Sequence, residues 1–164
     1  MYRIIHEILP VNILMFKYNI SKTYKYVYCN EVETLKHLFF ECTFNSQLLL
    51  LIKNWIFALS NGIICLNFKN IVLQDIDISN NKIKSVILLI ISLYCKTVWI
   101  NRNVKKFEKK NVNSNISYIY FLPQLKLRIL ADFERLPIMK FNEYWCNNDL
   151  FCNVKDNILN VTVY

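Results

Sequence analysis

Apolar residues recur every three to four positions through several stretches of the chain, and this periodicity predicts helices. From Ser46 to Leu59 the pattern is dense, with Thr43 or Asn45 placed to cap its start and Ser60-Asn61-Gly62 to end it. A long helix is expected from Lys82 to about Lys109. Its first half is apolar on nearly all sides, which predicts the central core element. A second long helix should run from about Ile116 to Pro137, kinked or restarted at Pro123, with Leu125, Ile129, Phe133 and Leu136 as its buried stripe.

Shorter elements flank these. Apolar residues at positions 4, 5, 8 and 9 predict a short helix from Arg3 to Leu9. Pro10 then suits the first turn of another helix reaching about Tyr18. Ser21 to Tyr28 reads as a loop or extended arm, and a helix should begin at Glu33, presenting Leu35, Leu38 and Phe39 on one face. Cys65 to Asn81 has imperfect alternation and reads as a connection with at most a short helix. Asn111 to Asn115 is a polar break, and Met139 to Trp145 is a short terminal helix packed by Phe141 and Trp145. The architecture expected is all-α: a small irregular helical domain over residues 1–146 with two long helices, followed by a loosely packed extended tail over 147–164.

One stretch carries recognisable chemistry. Cys29, His37 and Cys42 are spaced Cys-x7-His-x4-Cys, and Leu38, Phe39 and Phe40 between them can form a small core beneath a metal. Thiolate and imidazole are the ligands zinc prefers. The run resembles the zinc-binding domain that follows the polymerase in reverse transcriptases of non-LTR retrotransposons, whose pattern is Cys-x2-Cys-x7-His-x4-Cys. Glu33-Thr34, His37-Leu38-Phe39 and Cys42 fall in register with it. Looser similarity continues in Ile5-His6-Glu7-Ile8-Leu9-Pro10 and in Trp99-Ile100-Asn101-Arg102-Asn103. The chain departs from the pattern at residue 26, where tyrosine stands in place of the first cysteine. A phenol titrating near about 10 is a poor ligand at neutral pH. The resemblance therefore implies a zinc-knuckle-like loop with three of its four ligands, the fourth coming from Tyr26, Glu31 or water. Such a set predicts zinc binding that is weak or absent.

Composition narrows the classes. The chain has 164 residues, 54% of them hydrophobic, and a formal charge of +8. A single domain with one sizeable core follows from that length. The charge suits RNA or DNA as partner, although an AT-rich coding sequence would also enrich lysine and asparagine. The run Val86 to Cys95 between Lys84 and Lys96 is about half of the roughly 20 residues a bilayer span needs, so no membrane association is expected. No signal peptide is recognisable, and six cysteines without one predict reduced thiols in the cytoplasm or nucleus. With one glycine, Gly-rich phosphate loops and the nucleotide cofactors they hold are excluded.

Two candidate binding features remain. Lys22 and Lys25 interleave with Tyr24, Tyr26 and Tyr28, a pattern that can grip single strands or simply cover a small core. Arg102, Lys105, Lys106 and Lys109 form a cationic stripe that can neutralise phosphates or complement a helix C-terminus. Acidic residues are scattered singly, so no paired-carboxylate catalytic site is expected. The functional expectation is a retroelement-derived, zinc-knuckle-like module that binds nucleic acid without catalysis. The competing expectation is a metal-free helical module that packs on another protein, or a relic without function.

Overall fold

The computed structural model describes residues 9–110 and 114–163. The expected helix from Arg3 to Leu9, with His6, lies outside these residues except for its last position. Six helices are described: α1 (Asn12–Lys17), α2 (Ser46–Leu59), α3 (Phe68–Leu73), α4 (Asn81–Glu108), α5 (Ser114–Arg135) and α6 (Ile138–Trp145). An antiparallel hairpin of β1 (Cys152–Lys155) and β2 (Ile158–Val161) closes the chain, pairing Cys152 with Val161 and Lys155 with Ile158. The protein is thus mostly helical rather than strictly all-α.

The two long helices form the frame. α4 packs against α5, α2 and α6, and it buries Val86, Ile87, Ile90, Ile91, Tyr94, Cys95 and Val98. Each such apolar side chain contributes about 1.5–3 kcal/mol when fully buried. The Asn80 side chain caps α4 by accepting from the Lys82 and Ile83 amides, and Lys109 ends it in the left-handed region, φ 56°. By length and composition α4 is apolar enough to cross a membrane, and 44% of its most apolar window is buried within the protein. The apolar stretch meets that criterion because the whole helix, rather than the ten-residue run inside it, sets its length.

α5 continues through Pro123 instead of restarting there. Proline cannot donate to the carbonyl four residues back. That residue, Ile119, is 64% exposed, so water can serve its carbonyl. Phe121 joins Leu125 and Ile129 at the buried centre of the stripe, with Phe133 and Leu136 half-buried towards its end.

The start of α1 differs from expectation in detail. Pro10 precedes the helix, Val11 stands at its N-cap with no side chain able to cap it, and the Glu33 carboxylate takes the role by accepting from the Asn12 amide at 2.8 Å. α2 occupies the expected span, but neither Thr43 nor Asn45 caps it through a side chain. Asn45 is buried and donates instead to the Leu38 carbonyl. The connection between α2 and α4 contains α3, closed by reciprocal Asn67 and Asn70 bonds.

The C-terminal segment is not a loose tail. Phe151 and Cys152 are fully buried, and the Phe151 ring meets Trp55 of α2 edge-on at 5.1 Å and Trp145 of α6 at 6.0 Å. A phenylalanine placed between two tryptophans gives this segment a hydrophobic anchor that its polar neighbours conceal in the sequence.

Candidate metal centre

Residues 24–33 fold back on themselves as a tight knuckle. The Tyr26 amide donates to the Glu31 carbonyl at 2.7 Å, the Glu33 amide to the Tyr24 carbonyl at 2.9 Å, and Asn30 takes φ 62° at the tip. Asparagine tolerates that left-handed conformation better than most residues. Cys29 is thereby held at the turn, half-exposed.

A helical turn follows from Leu35, capped by the Thr34 hydroxyl, which accepts from the His37 amide at 3.0 Å. It then widens into a π turn over His37–Glu41 in place of the expected α-helix, and the Cys42 amide bonds to the His37 carbonyl at 2.9 Å. The widening matters for the site. In an α-helix, residues five apart are separated by about 140° around the axis. An i→i+5 bond closes the turn so that they lie nearly above one another, which brings His37 and Cys42 to one side.

A π turn leaves carbonyls in need of new donors. Tyr94, projecting from α4, donates its hydroxyl to the Phe39 carbonyl at 2.8 Å, and Asn45 serves Leu38. Both donors are buried, so the turn is held from outside its own segment.

The result is a cluster of three soft donors. Cys29 Sγ lies 3.0 Å from His37 Nε2 and 3.9 Å from Cys42 Sγ, and the three donor atoms all fall within 4.8 Å of one another. Ordinary zinc bonds in a tetrahedron put two sulfurs about 3.8 Å apart and a sulfur and a nitrogen about 3.5 Å apart. The sulfur–sulfur distance matches that geometry, the shorter sulfur–nitrogen distance is that of a hydrogen bond, and the three donors form a group that could hold a metal ion. Cys42 is 2% exposed, and its sulfur accepts from the Phe44 and Asn45 amides. Burial, opposed by those amides, still pushes its thiol up to about 12. A bound cation would supply the charge that makes the thiolate favourable and displace its proton.

Tyr26 is buried beside this cluster, its ring edge-on to His37 at 5.6 Å. Burial drives its hydroxyl far above the ordinary range, with the Cys42 thiol adding to the effect. Those surroundings work against a phenolate ligand and give Tyr26 the job of packing the imidazole. Glu31 is exposed and does not belong to the group. Cys146 and Cys152 face each other elsewhere, at 3.8 Å. Among the described residues, no fourth cysteine, histidine or carboxylate joins the three.

The tyrosines of the arm mostly cover the core. Tyr28 stacks on Phe44 at 3.7 Å and donates to the Asn101 carbonyl at 2.9 Å. Tyr24 alone remains on the surface, 41% exposed and edge-on to Phe16 at 5.3 Å.

The cationic stripe divides sharply. Arg102 is fully buried and is not available to a phosphate. It donates from Nε and Nη2 to one oxygen of the buried Glu33 carboxylate, at 3.1 and 2.7 Å, and from Nη2 to the Pro10 carbonyl and the Asn12 side chain. Lys106 is half-buried and donates to Asn12 and to the Met15 sulfur; desolvation, with Arg102 nearby, lowers its pKa. Lys105 is half-buried and Lys109 exposed.

Glu33 is the residue sequence reasoning undervalued: it caps α1, holds Arg102 and leads directly into the turn carrying His37. The available signal was a Glu-Thr pair and an Arg-Asn pair far apart in an apolar chain. Only the fold shows that they meet.

Fold and site together define a mostly helical domain with a Cys-His-Cys donor group at its N-terminal knuckle. No family model, curated protein or solved structure matches the chain.

Proposed function

We propose that this chain is a zinc-holding, non-catalytic module of retroelement descent that binds single-stranded nucleic acid. The convergence of the Cys29, His37 and Cys42 donor atoms within 4.8 Å of one another carries the metal reading. Zinc would act structurally there, tying the knuckle to the turn that precedes α2, with water completing its coordination. With three protein ligands the affinity falls below that of a complete site. Descent is supported by the buried ion pair of Glu33 and Arg102, one residue from each of the two motifs that resemble the family.

Support for nucleic acid comes from a surface beside α1. The Ile20 and Ser21 amides both donate to the Met15 carbonyl, and Asn12 holds the Lys25 carbonyl, so the arm folds back on the helix. That places exposed Lys17, Lys22 and Lys25 near the exposed Phe16 and Tyr24 rings. Cations that contact phosphates and rings that stack on bases are the usual elements of a single-strand surface.

Elemental analysis of protein purified without chelator tests the metal: one equivalent of zinc, lost in Cys29→Ser, is expected. Fluorescence anisotropy with labelled single-stranded RNA tests the partner, with affinity falling as salt rises and a shallower salt slope in Lys22→Glu/Lys25→Glu. No binding at low salt would overturn that part. A metal-free module docking on another protein is the second reading, favoured by the buried Tyr26 where the resemblance calls for a ligand. Under it, chelator leaves the melting curve unchanged.

A further inference from the structure

A second sulfur pair lies outside the metal centre. Cys146 terminates α6, the chain turns through Asn147–Asp149, and Cys152 opens β1 with its sulfur 3.8 Å from that of Cys146. The two thiols are unequal. Cys146 is half-exposed, while Cys152, the first residue of the hairpin, is fully buried. A disulfide needs sulfurs about 2.0 Å apart. Closing the remaining gap, about 1.8 Å, falls within the reach of side-chain rotation at the two cysteines.

We propose that Cys146 and Cys152 form a thiol-oxidation site in which Cys146 receives a small-molecule disulfide and Cys152 resolves it into an intramolecular bond. In the first step the Cys146 thiolate, its proton lost to solvent, attacks one sulfur of the reagent. The reagent's S–S bond breaks, a mixed disulfide forms and one small thiol leaves. In the second step the Cys152 thiolate attacks the Cys146 sulfur and expels the other small thiol. The protein loses two hydrogens, and the reagent is reduced to two thiols. Burial raises both protein thiols above their ordinary range. Exchange therefore runs slowly at neutral pH and faster in mild alkali. The product would tie the first residue of β1 to the end of α6 around the Phe151 anchor.

Glutathione disulfide is a suitable probe, and Cys65, a free and exposed cysteine, is the internal standard. Trypsin cuts after Lys140 and Lys155, leaving both cysteines on one peptide. After incubation at mildly alkaline pH, mass spectrometry should show that peptide two hydrogens lighter and free of adduct, while Cys65 carries glutathione. Cys152→Ser should trap a stable glutathione adduct on Cys146, and Cys146→Ser should leave Cys152 unmodified. A stable adduct on Cys146 in the unaltered protein overturns the proposal. So does a peptide that stays reduced while Cys65 is modified.

Discussion

Arg102→Met is the perturbation that most directly probes how the knuckle is attached to the helices. In the native protein both Arg102 and Glu33 are fully buried, and a single carboxylate oxygen receives two guanidinium bonds and the Asn12 amide. The other oxygen has no hydrogen-bond partner among the described residues. Methionine keeps much of the arginine's apolar stem but withdraws the charge that makes a buried carboxylate tolerable. Breaking a buried pair from one side costs about 3–5 kcal/mol, whereas exposed pairs are worth about 0.2–1 kcal/mol. For a chain of this length each kcal/mol moves the melting temperature by about 2–4 °C, so a fall of about 6–20 °C is expected. Urea titration followed by circular dichroism, with chelator present to remove metal effects, gives the free energy. Lys69→Ala, which breaks the exposed pair with Asp75, is the reference and should cost under about 1 kcal/mol. Adding Glu33→Gln to Arg102→Met should recover much of the loss, because the uncompensated charge disappears while an oxygen remains for Asn12. A loss below about 1 kcal/mol in Arg102→Met would refute the burial argument.

Tyr26→Cys restores the first thiol of the family pattern, and competition with a colorimetric chelator should show at least about tenfold tighter zinc binding, the cost of emptying a tyrosine-sized site offsetting part of the gain. Tyr94→Phe strands the Phe39 carbonyl at the π turn and should cost about 1–3 kcal/mol in the same urea titration. Phe151→Ala should cost about 3–5 kcal/mol if the C-terminal hairpin is anchored to the core, and almost nothing if it is a loose tail. Stability should also fall in alkali. Burial pushes the Cys95 thiol from an ordinary 9.0 up to about 12, so below 9.0 both states keep its proton and this group adds no pH dependence. Between those values only the unfolded chain releases it, and stability drops as pH rises; Cys95→Val should flatten that slope in melting curves recorded across the window.

The limits of α2 and the existence and approximate extent of α4, α5 and α6 were legible in the chain, because each depends on contacts within a few residues: periodic apolar positions, asparagine and proline punctuation, one glycine at φ 83°. The spacing of Cys29, His37 and Cys42 was legible for the same reason. Three features were not. A basic stripe on a helix looks the same whether its arginine meets solvent or a carboxylate 69 residues away, and nothing local distinguishes Arg102 from Lys109. The turn that brings His37 and Cys42 together is a π turn, an unfavoured local geometry held by a tyrosine from α4 and an asparagine from the edge of α2. The closing hairpin docks through one phenylalanine whose tryptophan partners lie on two separate helices. Local periodicity determined which segments are helical, and local spacing marked Cys29, His37 and Cys42 as candidate donors. Burial of charge, support for strained geometry and anchoring of the C-terminal hairpin depend on groups that meet only after the chain has packed, and the tertiary structure alone decided them.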